Sequence, residues 1–150
     1  MKSTCAKWVR GMADFKFEDY SAEVLQAIGE RMDAVLEECA AELESQAKRN
    51  SRVDTGKTKN SFQHKVTGSM IAGEYVAHIG SNEENAIWEE FGTGEHALQG
   101  NGRKGSWVYK DANGLFWRTS GKKPSRAFWN AYTSLKDALV KRIQNSFKGL

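Results

Sequence analysis

Three histidines and two glutamate pairs are the residues of this 150-residue chain whose types could support chemistry. His64 and His78 fall on neighbouring predicted strands, and His96 falls in a later loop. A metal site would require His64 and His78 to lie side by side with a third ligand, either His96 or a glutamate. No H-x-E or H-E-x-x-H spacing accompanies them. We therefore expect two histidines on the sheet and one in a loop, with no metal site.

The two glutamate pairs in the second half of the chain are Glu83-Glu84 and Glu89-Glu90. Glycosidase chemistry needs two carboxylates that converge in a cleft, one with a pKa raised by burial. Adjacent glutamates on a short helix point in different directions, so surface acidity is the expectation. The glycine turns at 54–56 and 92–94 lack the spacing of a phosphate-binding loop. Since no nucleophile set is visible either, we expect no catalytic residues, no cofactor and no enzymatic activity.

Composition indicates one folded domain over residues 1–150. Hydrophobic residues make up 39% of the chain, and five Trp, seven Phe and four Tyr suit a core or an interface. The net charge of +3 and the short, scattered basic runs do not indicate nucleic-acid binding by themselves. Cys5 and Cys39 are too far apart in sequence to suggest a disulfide or zinc framework, which fits synthesis in a reducing cytoplasm. No signal peptide, transmembrane segment or membrane partner is expected.

Hydrophobic periodicity predicts the elements of the first half. After an N-terminal arm (1–20) with a possible strand at 14–18, apolar residues at steps of three and four predict a helix over 22–49, with Asp19 or Ser21 as its N-cap. Cys39 falls on the apolar stripe of this helix and is expected to be buried. Alternating patterns predict strands at 61–67 and 74–79 that pair as a hairpin. A short helical turn follows, carrying Ile87, Trp88 and Phe91.

The second half is predicted to contain a loop, a hairpin and a helix. Residues 95–105, rich in glycine, are expected to form a long, flexible, exposed loop. Asn113-Gly114 between two aromatic runs predicts a second hairpin. Pro124 lies just outside a final helix that Ser125 is expected to cap. The predicted fold class is α+β, with an antiparallel sheet of about four strands packed on one face by two long helices.

Three segments together, residues 52–61, 88–94 and 121–128, resemble the HK97-type phage tail-component family (gene product ten-like). The resemblance extends from about residue 21 to residue 143. Thr58, Glu89, Ala127 and Trp129 depart from the residues that the family prefers, which are Leu, Val, Pro and Leu. The motif-turn residues that carry the resemblance are Val53, Asp54, Thr55, Gly56, Phe91, Gly92, Thr93, Gly94, Pro124 and Phe128.

The resemblance implies a structural virion protein at the head–tail neck of a long-tailed phage. It implies a ring, expected to be a hexamer, that contacts the head connector or stopper and the tail terminator or tail tube. Phage DNA would pass through the lumen without sequence-specific binding. Subunits of such a ring need heterologous surfaces, and the residues expected to supply them are Arg103, Lys104, Trp107, Tyr109, Phe116 and Trp117.

Three alternatives remain open from the sequence. A tail terminator or head-closure subunit of the same connector would share this chemistry and differ only in position. A metal-dependent hydrolase would use His64, His78 and a glutamate. A small nucleic-acid-binding module would use the basic residues Lys57, Lys59, Arg103, Lys104, Lys122 and Lys123, and its affinity would fall steeply with salt.

Overall fold

The structure is a computed structural model that describes residues 18–69 and 73–148. Its helices are α1 (Ser21–Asn50), α2 (Lys57–Asn60), α3 (Glu84–Phe91) and α4 (Ala127–Ser146). Its strands are β1 (Phe62–Ser69), β2 (Glu74–Ser81), β3 (Trp107–Lys110) and β4 (Phe116–Thr119), and a 3-10 turn spans Gly94–His96. The strand predicted at 14–18 lies outside the described residues, except for residue 18. Cys5 also lies outside them.

Helix α1 follows the predicted periodicity and is about 45 Å long. Cys39 is buried in it as predicted, and burial raises the pKa of its thiol. The predicted N-cap was wrong, because Tyr20 occupies the cap position and makes no side-chain cap hydrogen bond. Asp19 lies one residue earlier, and its carboxylate accepts the backbone N–H of Ser21 at 2.9 Å. The Asp19 side chain therefore accepts a hydrogen bond from a free N–H of the first turn, although Asp19 does not occupy the cap position.

The first hairpin forms as predicted, with β1 and β2 antiparallel. Its register pairs His64 with Ile79 and Lys65 with His78. Since successive residues of a strand point to opposite faces, the two histidines lie on opposite faces of the sheet. Within the described ranges, no group of three His, Cys, Asp or Glu side chains is placed to hold a metal ion.

The core lies where α1, α4 and the first hairpin meet. Leu43, Ala47, Phe62 and Ala131 form its buried centre, and the partly buried residues around them are Ile79, Phe128, Leu135 and Leu139. The two alanines are fully buried, so α1 and α4 approach each other closely there. The prediction that both long helices cover one face of the sheet is corrected in part. Helix α1 lies across the hairpin, whereas α4 packs mainly against α1.

The second hairpin, β3–β4, also forms, but the single four-stranded sheet was wrong. Each hairpin is a separate two-stranded antiparallel sheet. The reason lies in the connection, because α3 and the chain after it carry β3 away from the edges of β1 and β2. No residue of β3 or β4 belongs to the buried core of the described residues. None of the described helices has the length and apolar character needed to cross a membrane.

His64 joins β1 to α1 through two carboxylates. Its Nδ1 hydrogen-bonds Glu44, and its Nε2 lies 3.0 Å from Glu37. These hydrogen bonds, the one with Glu44 above all, raise the pKa of His64. At Glu44, partial burial favours the neutral acid, but hydrogen bonds from Lys48 and His64 outweigh it and lower the pKa of the carboxyl. The imidazolium form of His64 is therefore the form that this contact favours.

We expect the contact to make stability depend on pH. A group whose pKa is higher in the folded state contributes its full stabilisation to the fold at pH values below its unfolded pKa, which is near 6.5 for histidine. That contribution is lost as pH rises through the folded pKa. Glu44 limits the stabilisation by this contact at low pH, because the contribution of Glu44 is lost as pH falls through its lowered folded pKa. The free energy of unfolding of the wild type should thus fall above about pH 6.5, relative to His64→Gln. Urea unfolding at a series of pH values measures this.

His78→Gln is the control, since it removes a histidine from the opposite face and leaves both carboxylates in place. If His64→Gln and the wild type show the same pH dependence, the contact does not stabilise the fold.

Candidate functional site

The three motif segments, distant in sequence, meet at the N-terminus of α4. Thr93 donates its backbone N–H to the Lys122 carbonyl, and Glu95 donates to the Ser120 carbonyl, both at 2.9 Å. Lys122 in turn donates its N–H to Thr93 Oγ1 at 2.9 Å. Arg52 of the first segment reaches the Lys123 carbonyl at 3.0 Å. We call the two paired stretches, 89–95 and 120–129, together with Arg52, the motif junction.

Glycines are required in the motif junction because two backbones touch. A Cβ on Gly94 would lie 2.2 Å from the Ser120 carbonyl oxygen and 2.7 Å from the indole of Trp107. A Cβ on Gly121 would lie 2.1 Å from the Thr93 carbonyl oxygen. Gly92, with φ +75°, would meet the carbonyl oxygens of His96 and Lys122 within 2.9 Å. The glycine turn of the second motif therefore serves backbone packing, as its lack of phosphate-loop spacing suggested.

The prediction that the glutamate pairs are surface acidity was wrong for Glu89 and Glu90. Glu90 accepts the backbone N–H groups of Phe128 and Trp129 at 3.0 and 2.9 Å. These are among the first N–H groups of α4, which have no partner inside the helix. A carboxylate at this end also opposes the positive pole of the helix dipole. Glu90 is therefore the cap of α4, supplied from α3.

Ser125 was predicted to cap α4, and this was also wrong. Arg126 occupies the cap position in the left-handed conformation, with φ +52°. Ser125 instead turns away from the helix and donates both its backbone N–H, at 2.7 Å, and its hydroxyl, at 2.9 Å, to the Glu89 carbonyl. The double contact ties the chain before α4 to the last turn of α3. Pro124 lies outside the helix as predicted.

Glu89, which departs from the valine of the family pattern, is largely buried and forms an ion pair with Lys122. Its other carboxylate oxygen, Oε2, is buried and has no hydrogen-bond partner among the described residues. The lysine neutralises a charge that the site would otherwise hold without a partner. Lys122 thus compensates across the motif junction for the one departure, Glu89, that places a charge at a valine position.

We expect a double-mutant cycle to show this compensation. Lys122→Ala should cost about 1 kcal/mol of unfolding free energy, because it leaves a largely buried carboxylate unpaired and the lysine itself is half exposed. Glu89→Val with Lys122→Ala should recover most of that loss, since an apolar residue needs no partner. Lys123→Ala, at the neighbouring exposed lysine, is the control. Equal stability of the single and double variants would contradict the coupling.

The first motif segment lies at the edge of the junction. Val53, Asp54 and Thr55 are exposed, and Gly56 has φ +79°, which is the left-handed turn that its sequence predicted. The short helix α2 follows and was not predicted. It is held near α3 because Lys57 Nζ lies 3.1 Å from a carboxylate oxygen of Glu83.

The loop predicted over 95–105 is exposed, although it begins with a 3-10 turn. Leu98 donates its N–H to the Phe91 carbonyl, and Gly105 donates to the Glu95 carboxylate, both at 3.0 Å. Arg103 stacks over the Trp107 ring, 5.3 Å from its centre, and Lys104 is exposed. The flexibility of this loop stays a prediction.

The second hairpin presents aromatic side chains to solvent. Phe116 is 73% exposed, Tyr109 and Trp117 are about half exposed, and Trp107 is partly covered against Gly94. The turn is braced by Asp111, which accepts the indole N–H of Trp117 at 2.8 Å and the backbone N–H of Leu115 at 2.9 Å. The hydrogen bonds to Asp111, first that from Trp117, lower the pKa of its carboxyl. The hairpin therefore holds exposed aromatics on a braced frame.

A second apolar surface surrounds α3. One open groove, of about 420 Å³, lies between α3 and the following loop and includes Leu98. Another, of about 470 Å³, lies between α3 and α4 over the edge of the core and includes Trp129. Ile87 and Phe91 line both grooves and are exposed. The sequence placed Ile87, Trp88 and Phe91 on one helical turn but did not single them out as a surface.

The six basic residues of the nucleic-acid alternative have different environments. Lys57 and Lys122 form ion pairs with glutamates, and Arg103 stacks on Trp107. Lys104 and Lys123 are exposed, and Lys59 is partly buried.

Comparison with known proteins gives one match. The family model described as "Bacteriophage HK97-gp10, putative tail-component" matches residues 15–92, which include α1, the first hairpin and α3. The first two motif segments lie within this match up to Gly92, and the third motif segment and the second hairpin lie beyond it. No curated protein and no solved structure matches the chain.

Proposed function

The chain belongs to the HK97-gp10-like family of bacteriophage tail components, and from this premise we propose that it is a ring-forming subunit at the head–tail joint of a long-tailed phage. It would complete the tail or join it to the head, and it would reside in the neck of the virion. A component of a phage tail is a structural protein of the virion, and no catalytic set is found among the described residues.

The observation that carries the proposal is the second hairpin. Tyr109, Phe116 and Trp117 are large, exposed and held on a frame that Asp111 braces. Aromatic side chains of this kind are the usual anchors of protein–protein interfaces, and a rigid frame lowers the entropy lost on binding. Surfaces of this composition on a small monomer mark a binding site.

The ring, which we propose to be a hexamer, would contact the head connector or stopper on one side and the tail terminator or tail tube on the other. A small net charge of +3 supports passage of DNA through its lumen. A strongly basic lumen would retain the DNA through its phosphates, with an affinity that depends steeply on salt. Neither sequence-specific DNA binding nor a membrane partner forms part of the proposal.

Gene deletion with complementation tests the role. Deleting the gene in the phage or prophage that carries it should yield separate heads and separate tails in electron micrographs, and the wild-type gene should restore joined particles. A gene with Phe116→Asp should fail to restore them, because a charge replaces an interface anchor. Val140→Asp, at an exposed apolar position of α4, is the matched control and should complement.

Two outcomes would change the conclusion. Overlong tails in the deletion would indicate a tail terminator, which is the second candidate for the same connector. Normal tailed particles in the deletion would overturn a role at the joint altogether.

A further inference from the structure

We propose that the subunits of the ring join head to tail, with the β3–β4 hairpin of one subunit seated in the α3–α4 groove of the next. This inference rests on the proposed ring. It adds that the α3–α4 groove receives the hairpin, and that the occupant of this groove is a second copy of the chain.

The donor surface is large enough to anchor such a contact. Fully covering a large aromatic side chain buries about 150–250 Å². Covering Tyr109, Phe116 and Trp117, each about half exposed or more, would remove on the order of 300 Å² from water. Val108 and Leu115, also exposed on the hairpin, add to it. A stable interface of standard size buries about 800 Å² on each partner, so the hairpin supplies a large part of one side.

The acceptor surface is the groove of about 470 Å³ between α3 and α4. Its floor is formed by Phe62, Ile79 and Phe128, which also belong to the core or pack against it. Its rim carries Ile87 and Trp129, and both are about half exposed. A floor continuous with the core is rigid, and an exposed apolar rim gains most from being covered.

Within one subunit, the hairpin and the groove do not cover each other, because Phe116 of the hairpin and Ile87 and Trp129 of the groove rim are solvent-exposed. The two surfaces differ in shape, since one projects and the other is concave. A contact between two different surfaces of identical subunits is heterologous, and it closes into a ring when the rotation between neighbours allows. An isologous contact of hairpin with hairpin would stop at a dimer.

The two surfaces differ in charge. Arg103, Lys104, Lys110 and Arg118 lie on or beside the hairpin, and none forms an ion pair with another described residue. The stretch 82–91, which contains α3, has four glutamates and no basic residue. Of these glutamates, Glu84 is exposed and forms no ion pair within the described part of the chain. The groove itself is lined by one acidic side chain, Glu90, which caps α4, and one basic side chain, Arg126, which stacks over Trp129. Like charges beside the hairpin therefore disfavour hairpin-to-hairpin contact, and the groove presents no such basic cluster.

Mixing two variants, each defective in one surface, tests the arrangement. Phe116→Asp disables the hairpin and leaves the groove intact, whereas Trp129→Ser disables the groove and leaves the hairpin intact. Each variant alone should be monomeric by light scattering at concentrations at which the wild type forms rings. Mixed in equal amounts, they should form a one-to-one dimer and nothing larger, because a single productive interface remains. Circular dichroism and unfolding curves confirm that both variants fold.

Leu98→Ser is the matched control. Leu98 is exposed and lines the other groove beside α3, so this variant should still form rings. If Leu98→Ser abolishes rings and Trp129→Ser keeps them, the α3–α4 groove is not the receptor.

The remaining outcomes separate this inference from the proposed function. Rings of Trp129→Ser equal to those of the wild type would overturn the groove and leave the ring standing. A dimer formed by Trp129→Ser alone would indicate hairpin-to-hairpin contact instead. A wild type that stays monomeric at every concentration would overturn both the ring and this interface.

Discussion

Replacing Gly94 by alanine is expected to destabilise the protein by about 3–5 kcal/mol, through overpacking and backbone strain together. The new Cβ would lie 2.2 Å from the Ser120 carbonyl oxygen, which is held by its hydrogen bond to Glu95. It would also lie 2.7 Å from Trp107, at the base of the second hairpin. The carbonyl cannot retreat without separating the two backbones of the motif junction, and the indole can yield only by shifting at the base of the hairpin. Urea unfolding, followed by tryptophan fluorescence and circular dichroism, measures the loss.

Gly100→Ala is a sharp control for this prediction. Gly100 also has a positive φ, +70°, but a Cβ there would meet nothing within 4 Å. Its substitution should cost only the strain of a left-handed alanine, about 1 kcal/mol. Equal losses for the two variants would show that backbone conformation alone accounts for the glycine at 94, and that the close approach contributes nothing.

Replacing Glu90 by alanine is expected to cost about 2 kcal/mol, because two N–H groups at the start of α4 lose a charged acceptor. Glu90→Gln should cost less, since an amide oxygen still accepts a hydrogen bond but no longer opposes the helix dipole with a charge. Urea unfolding measures the loss of stability. Amide hydrogen exchange at Phe128 and Trp129 should become faster in Glu90→Ala, which locates the effect at the cap.

Glu84→Gln serves as the matched control, because Glu84 lies on the same short helix and is exposed. Its effect on stability should stay within about 0.5 kcal/mol. If Glu84→Gln and Glu90→Ala destabilise the protein equally, helix charge rather than capping explains the result.

Both predictions concern the motif junction, which links the glycine and proline turns of the resemblance to the proposed function. The junction contains no reactive group. It ties the end of α3, the base of the second hairpin and the start of α4 together through Thr93, Ser120 and Glu90. The two surfaces proposed to meet in the ring are attached to this one rigid point. A variant such as Gly94→Ala should therefore disturb assembly as well as stability.

Much of the local structure could be predicted from the sequence. The helices follow from apolar residues at steps of three and four, and the first hairpin follows from alternation, because side-chain period reflects local backbone geometry. Asn113-Gly114 predicted the turn of the second hairpin for the same reason. The buried Cys39 was confirmed because its position on the apolar stripe determined its surroundings. The family, confirmed over residues 15–92, followed from the order of short turns.

The errors share a physical cause. Asp19, Ser21 and Ser125 were assigned as caps from residue type, but the groups that satisfy a helix end can come from elsewhere in the chain, as Glu90 does. Glu89 and Glu90 were assigned to the surface because neither the burial nor the partner of a carboxylate shows in local sequence. The single four-stranded sheet was wrong because alternation identifies strands and does not identify which strands pair.

The sequence by itself therefore determined helices α1, α3 and α4, the two hairpins, the absence of recognisable catalytic spacing and the family. These depend on residue type and on spacings of a few residues. Only the tertiary structure decided that the second and third motif segments pair at one junction that Arg52 of the first segment reaches. It alone decided that the glutamates of this junction are structural, and that an aromatic hairpin and an apolar groove stand apart. Those outcomes depend on backbone atoms far apart in sequence coming within hydrogen-bond distance, as do the Ser125 N–H and the Glu89 carbonyl, which are 36 residues apart. No periodicity encodes such contacts, because they are made by chain packing rather than by neighbours in sequence.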